Sequence, residues 1–120
     1  MPRGGSLSDA DLVPFLVHLK DAMTFARSTE WMGCDPEAWQ IWDAVYPELS
    51  EGKPGLLGSV IARAEPQVMR LACIYALLDK SPLVRPPHLT AALALWDYAE
   101  TSARYVFGSS LGDPLADELL

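Results

Sequence analysis

Three things are scarce in this 120-residue chain: positive charge, paired cysteines and long apolar runs. Nine Lys and Arg face sixteen Asp and Glu, a formal net charge of -7 with a pI near 4.6. A field of that sign repels polyanions, which excludes duplex nucleic acid as a default partner and leaves only a local or indirect nucleic-acid role. Cys34 and Cys73 stand outside any C-x-x-C pair and read as two reduced thiols of an intracellular chain, with no support for a disulfide. His18 and His88 are too dispersed from them for a spaced zinc signature, so no metal site is expected. No apolar run approaches the roughly 18 to 20 residues that span a bilayer, and the start "MPRGGSLSD" has no apolar signal segment. The expectation is a cytoplasmic protein with no membrane partner. The G-x-x-x-x-G-K-[ST], G-x-S-x-G and G-x-G-x-x-G signatures are missing too, so no cofactor is expected.

What the chain does have is apolar content and helical spacing. Half its residues are hydrophobic, enough for one domain over 1–120 with a single core. Residues 1–7 read as a flexible start, and 109–120, turn-rich at Gly112 and Pro114, as a linker toward a further segment. Ser8 with Asp11 three positions on resembles a capping box, announcing a helix to about Arg27. Leu12, Phe15, Leu16, Leu19, Met23 and Ala26 form its inward face, and Pro14 is expected to delay its start. Asp35 and Pro36 read as cap and first residue of a second helix, with Trp39, Trp42, Val45 and Tyr46 on one face and a bend or fraying at Pro47.

After the loop "SEGKPGLLG", whose glycines and Lys53 read as a plain connection, an apolar stripe runs from Leu57 through Val60, Val68 and Ala72 to Leu78. Proline inside a helix costs about 3 kcal/mol, so this stretch is either one helix bent at Pro66 or two helices. Its uncharged run, Leu71 to Leu78, reads as core. Pro86 and Pro87 start a last helix, with Leu89, Ala92, Leu93, Trp96, Ala99, Ala103 and Phe107 inward and Gly108 as its stop. No segment alternates at period two, so the predicted class is all-α, a compact bundle of four to five helices.

Few residues suggest chemistry. Glu48, Glu51, Asp97 and Glu100 are scattered over different elements, and the four tryptophans lack the interleaved Arg or Lys of a base-stacking surface, so they read as core. His88 reads as a solvent-facing residue beside the prolines, and His18 as part of a polar face. Arg63, Gln67 and Arg70 fall on one side of a helical wheel, where polar surface gives way to core. A guanidinium at that boundary needs a carboxylate or an anion. Arg70 is the candidate for a structural ion pair with Asp97 or Glu100. Arg63 is the candidate for an outward contact to a nucleotide, a phosphate or a neighbouring subunit.

Three blocks carry a resemblance. They are W-x-x-x-Y-x-x-L (Trp42, Tyr46, Leu49), then G-x-x-x-x-R-x-x-x-x-x-x-R-L-A-x-x-Y-A-L-x-D (Gly58, Arg63, Arg70 to Ala72, Tyr75 to Leu77, Asp79), then H-L-x-A-A-L-x-L-W-x-Y-x-x-x-S-A (His88 to Ala103). Over about residues 8 to 120 the chain resembles the C-terminal helical region of phage and plasmid primase-helicase-like proteins, a domain catalogued as of unknown function. In such proteins a RecA-like ATPase core precedes this region. The resemblance implies a replication-linked accessory domain, not an enzyme on its own. Its implied partner is an ATPase domain in cis or in trans, with nucleic acid met indirectly and oligomerisation through the parent protein. By the same resemblance Arg63 would be presented to the nucleotide or to a subunit. The residues alone leave two other readings open: a stand-alone helical interaction module whose partner docks near Trp31 and Trp39, and direct DNA binding through Arg63, Arg70, Arg85 and Arg104.

Overall fold

The computed structural model describes residues 4–52 and 55–108. The linker expected at 109–120, and Lys53 in the glycine-rich loop, lie outside them. The fold is all-α: α1 (Asp9–Arg27), α2 (Pro36–Leu49), the six-residue α3 (Gly55–Val60), α4 (Ala64–Leu78) and α5 (Pro86–Phe107). Two short strands, β1 (Gly33–Cys34) and β2 (Leu83–Val84), pair in parallel with Gly33 opposite Leu83 and Cys34 opposite Val84. Two residues cannot display a two-residue period, which is why the patterning misses them.

The ladder sets two helix starts side by side. Each strand passes through one cap residue into a helix that opens on proline: Asp35 then Pro36, Arg85 then Pro86. The Asp35 amide donates to the Val84 carbonyl at 2.9 Å, and the Asp35 carboxylate accepts from the Ala38 amide at 2.7 Å, satisfying an N–H that a helix start leaves unpaired. The Ser8–Asp11 capping box forms as read from the sequence, with the Ser8 amide and hydroxyl both donating to Asp11 Oδ2. Those two bonds hold the Asp11 carboxyl below its ordinary value of 3.8.

Pro14 and Pro47 do not end their helices, and near Pro66 the chain restarts. Pro14 does not delay α1, which starts at Asp9, and α2 continues through Pro47 to Leu49. The carbonyls they deprive of a partner, those of Ala10 and Asp43, belong to exposed residues that water can serve. At Pro66 the two-helix alternative is realised, with the break three residues earlier, so that Pro66 becomes the third residue of α4. An amide there has no helical partner to lose, and the 3 kcal/mol penalty does not arise.

The core is built on small residues. Ala64, Val68, Ala72 and Ala76 recur every four positions along α4 and all are buried. That i, i+4 ridge of short side chains lets α5 approach closely, and α4 packs most extensively against α5 through Leu89 and Ala92. From α2 only Ala38 is fully buried, with Ile41, Trp42, Val45 and Leu49 half-buried behind it. Trp42 meets Tyr46 edge-on, ring centroids 5.6 Å apart. Not all of Leu71 to Leu78 is core: Ile74 is 52% exposed, and the predicted inward residues Val60 and Ala99 are exposed as well.

The largest departure is α1. Its predicted inward face is open, Phe15 at 73% exposure, and only Ala22 is buried, where the helix leans on α4. The described chain measures 54 × 50 × 20 Å, about two helix diameters thick, and so lacks a further layer to cover that face.

Candidate functional site

Four features could carry function: the Arg63 corner, the acidic groove beside it, the His88–Asp79 pair and the two thiols. Arg63 lies in the three-residue break between α3 and α4, at φ 64° and ψ 40°, the left-handed region that costs a non-glycine residue about 1 kcal/mol or more. Lys80 shares a positive φ of 51°, with a local cause. It follows the end of α4, where the Ser81 amide donates to the Ala76 carbonyl at 2.9 Å and the Lys80 amide to the Leu77 carbonyl at 3.0 Å, the double bond that closes a helix through a left-handed residue. Arg63 has no such closure. Its side chain is exposed and takes no cap bond.

Beside the corner lies a groove of about 390 Å³ between the end of α2, the α3–α4 break and α5. Trp96, Leu93, Leu49 and Ile61 line it together with Glu48, Glu51, Asp97 and Glu100. Carboxylates that are scattered in sequence thus converge. The signal was present in outline, since Asp97 and Glu100 share a helix face at i, i+3, but the junction with α2 was not readable. Arg63 sits between two lining residues, Ile61 and Ala64. Arg104 also lines the groove and pairs with Glu100, but the four acids outnumber it and disfavour a phosphate there, so an anion that meets Arg63 approaches from outside the groove.

The expected ion pair is not formed. Arg70 is exposed on α4, and among the described residues no ion pair joins it to Asp97 or Glu100. Glu100 instead meets Arg104 one turn along α5, at 3.5 Å, because that partner is four residues away on the same helix face. Arg85 and Arg104 stand at opposite ends of α5, roughly 28 Å apart by helical rise, so the four arginines form no single stripe.

His88 is buried, not solvent-facing. Its Nδ1 accepts from the Arg85 amide at 3.0 Å and its Nε2 meets Asp79 Oδ2 at 2.8 Å. Because Nδ1 is an acceptor, the hydrogen resides on Nε2 and is donated to Asp79. The third residue of α5 reaching back to its cap is the capping-box arrangement with His in place of Glu or Gln, a sequence signal that was available and missed. Both ring nitrogens are committed to structure.

Trp31 and Trp39 are also misplaced by the core reading, at 79% and 46% exposure. The Trp31 ring lies over buried Gly33, where an added Cβ would come within 2.6 Å of the indole. Cys34 on β1 and Cys73 on α4 are free and half-buried, both packed on the core cluster. Burial, then the Cys73 thiol and the Asp35 carboxylate, push the Cys34 thiol up from 9.0, and burial raises Cys73 as well, the opposite of an activated nucleophile. Among the described residues no three His, Cys, Asp or Glu side chains are placed to hold a metal ion, and no helix is long and apolar enough to cross a membrane.

No family model matches the chain, and no curated protein or solved structure matches it either.

Proposed function

We propose that this chain is a non-catalytic helical accessory domain of a replication-associated, primase- or helicase-like, DNA-dependent ATPase, packing beside a RecA-like core in cis or in trans. The observation that carries the reading is Arg63: exposed, with no side-chain hydrogen bond or ion pair among the described residues, and held in a strained backbone region that no helix closure explains. Strain kept without a local structural reason is characteristic of positions held for contact with something else. The resemblance of the surrounding block to the primase-helicase-like region supplies the class of that partner. In this reading Arg63 meets the nucleotide or a neighbouring subunit from the rim, and the acidic groove keeps the anion off the domain's own surface.

The coding sequence flanking this one tests the class. A phosphate-loop motif in the same or an adjacent frame is expected, and a flank that encodes no ATPase would remove the reading's partner.

A second reading has its own observation. Trp31 and Trp39 are both exposed, as a stand-alone protein-interaction module would require. Replacing both with Ala discriminates the two: the module reading predicts loss of partner binding, and the ATPase reading predicts that DNA-stimulated ATP hydrolysis is retained.

A further inference from the structure

The seven apolar side chains of α1 from Leu12 to Met23 other than Ala22 are between 39% and 73% exposed. Leu12, Leu16, Leu19 and Met23 follow one another at spacings of four, three and four, the seam period of paired helices. The four seam side chains expose on the order of 350 Å², and with Phe15 and Val13 on either side of them roughly 600 Å², at the top of what a monomer exposes in one patch and near the roughly 800 Å² each partner buries in a standard interface.

The charges beside the seam say what covers it. At 100° per residue Asp9 and Arg27, eighteen residues apart, fall at the same angle five turns from each other, with Leu16, Lys20 and Met23 between them on the same side. The start of the seam is therefore acidic and its end basic. A parallel partner of the same sequence would set Asp9 against Asp9, Lys20 against Lys20 and Arg27 against Arg27. An antiparallel one sets Asp9 beside Arg27 of the second copy at both ends, and a two-fold axis between Val17 and His18 places Leu12 opposite Met23 and Leu16 opposite Leu19. The face is complementary to itself reversed, which is the condition for a closed two-fold interface.

We propose that α1 is a self-association helix: two copies of this chain pair through the Leu12–Leu16–Leu19–Met23 seams of antiparallel α1 helices, with Asp9 of each copy beside Arg27 of the other. The inference does not rest on the ATPase reading and stands or falls by a separate measurement. Sedimentation equilibrium of the full chain from about 1 to 200 μM gives a dimer of twice the 13.1 kDa chain mass. Leu16→Glu, at a side chain already 49% exposed, gives a monomer with an unchanged far-ultraviolet spectrum. Asp9→Lys and Arg27→Glu each weaken the dimer at least about ten-fold, as like charges then meet at both ends. Asp9→Lys with Arg27→Glu restores it, a rescue that no contact within one copy can produce because the two positions are roughly 27 Å apart along α1. A monomer throughout the range would assign the face to a different partner and overturn the proposal. So would a dimer untouched by Leu16→Glu, or a double variant no stronger than the single ones.

Discussion

Replacing His88 probes how the two longest-packed helices are joined. The imidazole is buried and does three things: it gives the Arg85 amide an acceptor at the start of α5, links that start to Asp79 at the end of α4, and fills space beside Leu89. The cap bond is worth about 0.5–2 kcal/mol. The Asp79 link contributes less, because the carboxylate side chain is 73% exposed and screened by water, so at most about 1 kcal/mol is expected of it. Removal of a buried ring adds about 1 kcal/mol or more for the space left behind. His88→Ala should therefore lower the unfolding free energy by about 2–4 kcal/mol, read from urea denaturation followed by helical circular dichroism. Asp79→Asn should cost less than about 1 kcal/mol. His88→Gln is the discriminating variant, since glutamine at the third helical position also reaches back to the cap amide. It should recover about 1 kcal/mol over His88→Ala. Equal losses for Ala and Gln would refute the capping role and leave only packing.

Arg63→Gly should stabilise the domain by about 1 kcal/mol, because glycine adopts φ 64° without strain, and its thermal midpoint should rise accordingly; no gain would mean that the left-handed conformation is not sampled in solution. Ala76→Leu, inserted on the fully buried ridge facing α5, should cost about 1–3 kcal/mol by overpacking, and the urea midpoint should fall. The thiols give a pH dependence. Their folded pKa values lie above the unfolded ones, so the folded state holds protons that the unfolded state has released, and stability is full below about pH 8.5 and falls as pH rises through the folded values. Between pH 8 and 10.5 under reducing conditions the parent chain should lose more stability than Cys34→Ala/Cys73→Ala, and parallel losses would contradict the burial of the thiols.

Local signals were the legible part of the fold. Ser8 with Asp11, Asp35 with Pro36 and Gly108 act through neighbours three or four residues away, and each lies where the chain pattern puts it. The apolar stripe of α4 was legible for the same reason. Partners were not legible. Periodicity gives α1 an apolar face and cannot say whether this chain supplies the surface that covers it. The α1 seam and the α4 ridge are equally regular in sequence, and one is open while the other is sealed by α5. The site divides likewise. Arg63 was separable from Arg70 by its distance from the apolar run, whereas the Glu100–Arg104 pair, the convergence of four carboxylates and the buried His88 depend on how α2, α4 and α5 are arranged.

If Arg63 acts on an ATPase beside which this domain packs, its loss must slow that enzyme. The measurement is DNA-stimulated ATP hydrolysis by the RecA-like core joined to this domain, compared with the same protein carrying Arg63→Ala and with the core alone. Arg63→Ala should lower the rate at least about ten-fold, approaching the core alone, with the fold intact by circular dichroism. Hydrolysis unchanged by Arg63→Ala would contradict that role.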